Sequence, residues 1–260
     1  MSDPDNEAAS RPRSRLSLAV LSAIGIFLIA VLLALGTWQV KRLFWKVDLI
    51  ARVEARVHAE PVTVPARAEW PNINADTDEY RRVRVRGHYL NDKETLVYAA
   101  TELGAGYWVT TPLALGDGTI VLVNRGFVPT EKRDATTRLQ GQISGDTEVT
   151  GLMRMTEPKG AFLRSNKPSE NRWYSRDVSA IAATGALPNV APYFIDADAT
   201  PNPGGLPVGG LTRIVFPNNH LVYAITWYCL AAMIAGMLIV LWRSAASSIH
   251  ETPGARGGEA

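Results

Sequence analysis

Cysteine is nearly absent: one residue, Cys229, in a chain of 260. An intramolecular disulfide is therefore impossible. No Cys-x-x-Cys, Cys-x-x-x-Cys or Cys-x-x-Cys-His occurs, which removes thioredoxin-like chemistry, a thiol copper carrier and covalent c-type haem. Cys229 itself reads as a small apolar residue in a helix interface. Nucleophile and phosphate signatures are missing too: Gly-x-Ser-x-Gly, His-Glu-x-x-His, Walker A and Gly-x-Gly-x-x-Gly do not appear. With no such constellation, a non-enzymatic role is expected. The histidines His58, His88, His220 and His250 lack the spacing of a zinc site. Charge is not in excess either, with a net of +2. A nucleic-acid partner would need a concentrated basic patch, so none is expected.

Two long apolar runs are present. Leu16 to Val40 and Leu221 to Trp242 carry no charged side chain, and each is long enough to cross a bilayer as a helix. The first is too long for a signal-peptide core and has no small-x-small cleavage site after it. It ends in Trp38 followed by Lys41-Arg42, the pattern of an anchored span. Asp3, Asp5 and Glu7 argue against a mitochondrial transit peptide and favour a bacterial inner membrane. The expected order is a disordered tail (1–15), a first span (16–40), a β-rich domain (41–217), a second span (218–242) and a second tail (243–260). Basic residues flank the spans almost equally, with Arg11, Arg13 and Arg15 before the first and Lys41, Arg42 and Lys46 after it. The charge rule leaves the orientation open.

The middle is mostly strand. Lys41 to His58 first continues the helix as an amphipathic extension, stopped by Pro61 and Pro65. Val83 and Val85 then alternate with Arg82, Arg84 and Arg86, a half-buried strand with a solvated basic face. Tyr107–Leu115 and Thr119–Phe127 flank Gly116-Asp117-Gly118, a hairpin. Thr95–Ala99, Thr147–Met155, Tyr193–Asp196 and Thr212–Phe216 read as further strands. Asp177–Thr184 reads as a short helix, and Thr130–Arg138 as a helical turn or loop. The class is α+β, with barrel and sandwich both open. Arg125 is flanked by Val121, Val123 and Phe127, which predicts either a carboxylate partner in the core or exposure.

An ionisable residue at the mouth of a span is a functional candidate. His220 opens the second span, with Tyr223, Ala224 and Trp227 following at helical spacing. A neutral imidazole walled by aromatic and small side chains is able to ligate haem iron. The plainer reading is an interfacial histidine bonded to a headgroup or to the other span. Ala30-x-x-x-Ala34, Ala231-x-x-x-Ala235 and Ala232-x-x-x-Gly236 are small-residue patterns that permit close helix approach.

Taken in order, several stretches resemble the surfeit locus protein 1 family. They are Leu35-Gly36-Thr37-Trp38-Gln39 with Lys41-Arg42 and Trp45-Lys46; Tyr80-Arg81-Arg82-Val83 through Gly87; Asn124-Arg125-Gly126-Phe127-Val128-Pro129; Trp173 with Arg176-Asp177; Gly209-Gly210 to Arg213; and Asn218-Asn219-His220-Leu221 with Tyr223 and Thr226-Trp227. Phe127 stands where the family pattern has tryptophan. The resemblance implies a multi-pass inner-membrane protein with both termini cytoplasmic and the central domain periplasmic. It implies an assembly factor for cytochrome c oxidase that binds haem a and aids its insertion into the largest oxidase subunit, with haem a synthase as a further partner. It ties His220 to haem a; Tyr223 and Trp227, on the same helical face, are then the side chains expected beside the macrocycle. The rival expectation is a membrane scaffold that holds the oxidase subunit or the synthase without touching haem.

Overall fold

The computed structural model describes residues 15–158, 160, 161 and 164–250. Residues 1–14 and 251–260, which hold most of the two expected tails, lie outside the described residues. The chain forms two compact units, one from residues 1–49 with 216–260 and one from residues 50–215.

The first unit holds the apolar helices. α1 (Arg15–His58) runs without interruption through the expected span and its extension, and α4 (His220–His250) carries the second run. Both are long and apolar enough to cross a membrane, and only 6% and 11% of their apolar windows are buried. Helices this apolar and this exposed do not resemble core helices of a water-soluble protein.

The two helices pack antiparallel. Leu238 lies against Gly25 and the Tyr228 ring against Gly36. The Trp242 indole donates to Ser22 Oγ at 3.0 Å. The less exposed positions on α4 include His220, Ala224, Trp227, Ala231, Ile234, Leu238 and Leu241; on α1 they include Ser22, Gly25, Ile29, Leu32, Gly36, Gln39 and Leu43. Steps of three and four alternate, the repeat of a left-handed helix seam. Of the small-residue patterns, only part is used. Ala231 is buried and Ala235 half-buried, but Ala30, Ala34, Ala232 and Gly236 face outward. The glycines Gly25 and Gly36 make the close approaches instead. Cys229 is exposed, contrary to the interface reading. It stands about 200° around the helix from Trp227, outside the seam.

The second unit is a small barrel. Its elements are β1 (Val62–Thr63), α2 (Ala75–Asp78), β2 (Arg82–Tyr89), β3 (Thr95–Thr101), β4 (Gly104–Leu115), β5 (Ile120–Pro129), β6 (Asp146–Met155), the short ribbon β7 (Gly160–Ala161) and β8 (Arg164–Ser165), α3 (Val178–Thr184) and β9 (Val190–Ala197). The sheet order is β1-β2-β6-β9-β5-β4-β3, and β2 also pairs with β4. That extra pairing, Gly87 opposite Leu115 through Tyr89 opposite Leu113, closes five strands into a ring. The barrel alternative left open by the sequence is the one adopted. Gly87 makes the closure possible, since a Cβ there would sit 2.4 Å from the Ala114 carbonyl oxygen.

Alternation sorts the side chains. Val83, Val85, Leu113, Val121, Val123, Val149, Met153, Ala191, Tyr193 and Ile195 fill the interior, with every barrel strand contributing. Leu122 and Phe194, on the opposite faces of β5 and β9, join Val97, Trp173, Val178 and Ile181 in a second cluster under α3. Asp177 caps α3 by accepting from the Ala180 amide. Arg84 and Arg86 are exposed and Arg82 half-buried, the expected solvated face. The Thr130–Arg138 stretch forms two 3-10 turns. Thr212–Phe216 was expected as a strand but forms none. Its Thr212 hydroxyl is bonded to Asp196 (3.0 Å), a side-chain tie in place of a ladder.

Candidate functional site

His220 begins α4 on the seam side. Its Nδ1 lies 2.8 Å from Gln39 Oε1 on α1. An amide oxygen only accepts, so with Oε1 facing the ring it is Nδ1 that donates. Nε2 makes no hydrogen bond among the described residues. Trp227 shares the seam face, and its Nε1 is buried without a partner. Tyr223 lies on the flank, 53% exposed. The structure thus sets His220 and Trp227 on one face and Tyr223 beside it. No group of three His, Cys, Asp or Glu side chains suited to a metal occurs among the described residues. His58 and His88 are exposed residues of the barrel unit, and His58 Nδ1 lies 3.0 Å from the Glu54 carbonyl oxygen.

A second constellation lies in the barrel unit. Asp196, almost fully buried on β9, accepts from Arg154 Nη1 (2.8 Å), Arg176 Nη1 (2.9 Å), Asn124 Nδ2 (2.7 Å) and Thr212 Oγ1 (3.0 Å). Arg154 Nε reaches Glu79 Oε1 at 2.8 Å. Arg176 forks onto Glu157 at 3.0 and 2.5 Å. The Phe194 ring lies under both guanidinium groups, 4.6 Å from Arg176 and 5.9 Å from Arg154. Burial disfavours the Arg154 charge, but Asp196 and Glu79 outweigh it and hold its pKa above the ordinary arginine value. Burial also acts against Arg176, and Asp196 with Glu157 reverses it in the same way. The network borders a cavity of about 440 Å³ whose wall includes Trp108, Gly210, Leu211 and Arg213.

Arg125 follows neither course the sequence allowed. It is buried but has no carboxylate partner among the described residues. Its Nη2 donates to the Gly141 carbonyl oxygen (2.5 Å) and Asn202 Oδ1 (3.0 Å), and the guanidinium lies 4.5 Å from the Tyr89 ring centroid. The nearby carboxylate, Glu94, is taken by Arg138. Burial lowers the Arg125 pKa and raises that of the Tyr89 phenol to about 12.

The chain matches the SURF1 family over residues 26–232, from within α1 to within α4. It is 41% identical over 225 residues to Surfeit locus protein 1 of Rattus norvegicus, covering 80% of this chain and 71% of the relative. For Surfeit locus protein 1 of Homo sapiens the identity is 42% over 219 residues, covering 76% and 69%. A SURF1-like protein of Monosiga brevicollis is 38% identical over 251 residues, 91% of each chain. The chain belongs to the SURF1 family.

The SURF1 match takes in part of each long helix, the barrel and His220. Glu79, Arg154, Glu157 and Asp196 gave no signal in the sequence, being scattered over the chain. Yet Asn124, Arg176 and the Gly210–Arg213 stretch, quoted for the resemblance, converge on the Asp196 cavity. Gln39 likewise lies in a quoted stretch, and only the structure gives it a role as the partner of His220.

Proposed function

We propose that this SURF1-family protein is a non-enzymatic assembly factor for cytochrome c oxidase that holds haem a through His220 before it enters the largest oxidase subunit. In this reading α1 and α4 cross a bacterial inner membrane, the termini are cytoplasmic and the barrel is periplasmic, where it meets the oxidase subunit and haem a synthase. The observation that carries the proposal is the Gln39–His220 pair. A histidine whose Nδ1 is tied down and whose Nε2 is free is prepared as a metal ligand. The donor set fits haem as cargo through one imidazole, that of His220. Single-histidine ligation suits a carrier, which has to release what it holds.

The seam constrains where such a macrocycle lies. Tyr228 against Gly36 and Leu238 against Gly25 close the space between the helices. A macrocycle held by His220 would therefore lie on an outer flank, on the side of Tyr223, rather than between the spans. That same closed seam favours the second reading, a scaffold that pairs with membrane partners and never binds haem.

The full chain purified from cells making haem a separates the two. The first reading expects a haem a spectrum that falls about tenfold or more in His220→Ala, with Gln39→Leu intermediate, since lost outer-shell partners cost about 10–100-fold in affinity. Equal haem a in wild type and His220→Ala refutes ligation by His220. Pigment-free protein that still supports oxidase maturation supports the scaffold.

A further inference from the structure

Tyr98, Tyr107 and Tyr174 stand around a small cavity of about 210 Å³ on the flank of β3, the last strand in the sheet order. Three arginines from three separate stretches reach it: Arg133 after β5, Arg164 on β8 and Arg172 in the loop before α3. It shares no lining residue with the Asp196 cavity and does not involve His220. Among the described residues no acidic side chain lines it. The walls are therefore aromatic and the charge is of one sign.

The arginines are held in place. The Arg133 guanidinium lies 5.3 Å from the Tyr107 ring centroid, and that of Arg164 lies 5.4 Å from Tyr174 and 5.9 Å from Tyr98. Tyr98 meets Tyr107 edge-on at 5.8 Å. A guanidinium set against a ring face is attracted by the π-electrons and keeps its N–H edge for an acceptor. Arg172 has a carboxylate partner in Glu170; Arg133 and Arg164 have none among the described residues. Asp134, next to Arg133 in the chain, spends its carboxylate on the Thr136 amide and hydroxyl. Asn171 accepts from the Trp173 Nε1 at 2.9 Å with its amide oxygen, so its NH2 group remains to donate. The three arginines and Asn171 are all exposed, so a ligand reaches these donors directly.

Such a lining selects an anion, and the size narrows it. The volume lies below the range of small-molecule sites, roughly 300–1,000 Å³, and suits a single amino-acid side chain. Ring faces and Leu96 offer contact to an aliphatic stem, while the guanidinium groups suit the carboxylate at its tip. Three cations around one opening call for more than one negative charge. We infer that this flank of the barrel docks an acidic segment of a partner protein, with one carboxylate side chain set into the cavity against Arg133 and Arg164. The inference does not depend on haem binding at His220.

A hexaglutamate peptide carrying an uncharged dye, titrated with the full chain in a neutral detergent and read by fluorescence anisotropy, tests this. Hexaglutamine with the same dye is the reference, and it should bind far more weakly. Arg133→Gln and Arg164→Gln should each weaken hexaglutamate binding about fivefold, the upper end for a partly exposed ion pair. The two variants are read independently, so either carries the test if the other loses its folded circular dichroism. Arg84→Gln removes an exposed charge from β2, outside the cavity, and should leave binding unchanged. Equal binding of the two peptides overturns the inference. So does an equal loss in Arg84→Gln, which would show diffuse attraction to a basic surface. Displacement of the peptide by inorganic phosphate, where sodium chloride of the same ionic strength has no effect, overturns it in favour of a small-anion site. Displacement by phosphatidylglycerol in the micelles, but not by phosphatidylcholine, overturns it in favour of a lipid surface.

Discussion

Removing the Asp196 carboxylate should be among the most damaging side-chain truncations in the barrel unit. Asp196 is 3% exposed and receives four hydrogen bonds, two of them from arginines. In Asp196→Ala, Arg154 keeps Glu79 and Arg176 keeps Glu157, so neither cation is stranded. Both nevertheless lose a short partner at a site where their side chains are only 15% and 13% exposed, and Asn124 Nδ2 loses its acceptor. Breaking a buried pair by removing one member costs about 3–5 kcal/mol. The adjoining cavity admits water to the exposed donors, which puts the expectation near the lower end, about 3 kcal/mol. Urea unfolding of the full chain in detergent, followed by tryptophan fluorescence, reads it as a shift in midpoint at unchanged slope. Asp196→Asn keeps the shape and one acceptor oxygen and should lose about half as much. A loss below about 1 kcal/mol in Asp196→Ala would refute the reasoning, since it would mean that Glu79 and Glu157 alone satisfy both arginines. A double mutant of Asp196→Ala with Arg176→Met completes the check: the two losses should fall well short of adding, because residues in one network couple.

Gly126 has φ of +131° and a Cβ there would stand 2.1 Å from the Val208 carbonyl oxygen, where Phe127 and Val208 exchange backbone hydrogen bonds. Gly126→Ala should therefore cost about 3 kcal/mol or more, or abolish folding, read by the same urea titration. The Tyr89 phenol has its pKa raised from 10.0 to about 12. The unfolded chain thus loses this proton first as pH rises. The stability tied to Tyr89 is whole below pH 10 and is lost as pH climbs to about 12, at about 1.4 kcal/mol per pH unit. Tyr89→Phe should remove that share of the alkaline slope, and an unchanged slope would count against it.

Local signals predict local structure in this chain. Gly116-Asp117-Gly118 marks the hairpin, Val83 and Val85 mark the buried face of β2, and Asp177 with Gly185 bounds α3, because each depends on neighbours a few residues away. Features that need distant partners leave no such trace. The pairing of β2 with β4 turns a sheet into a barrel, and nothing in the period of either strand announces it. Glu79, Arg154, Glu157, Arg176 and Asp196 meet only after five strands are in register. The helix seam shows the same limit in another form. The alanine pairs are good small-residue patterns, but the phase of the seam is fixed by Gly25 and Gly36, where Leu238 and Tyr228 need the room. Arg125 reads as either paired with a carboxylate or exposed, while the fold buries it against carbonyl oxygens and an aromatic face.

The place of β9 in the ring sets the order in which the chain is able to fold. This last strand of the barrel lies between β5, to which it is parallel, and β6, to which it is antiparallel. A chain that has been made only as far as β6 holds four of the five ring strands but has an open slot through its middle. The slot closes when residues 190–197 arrive, shortly before α4 is made. Until then the edges of β5 and β6 stand unpaired, and long-range strand insertion of this kind is slow and open to wrong pairings. The last ring strand is thus made shortly before the second apolar helix, so completion of the barrel and synthesis of that helix become neighbouring events in time.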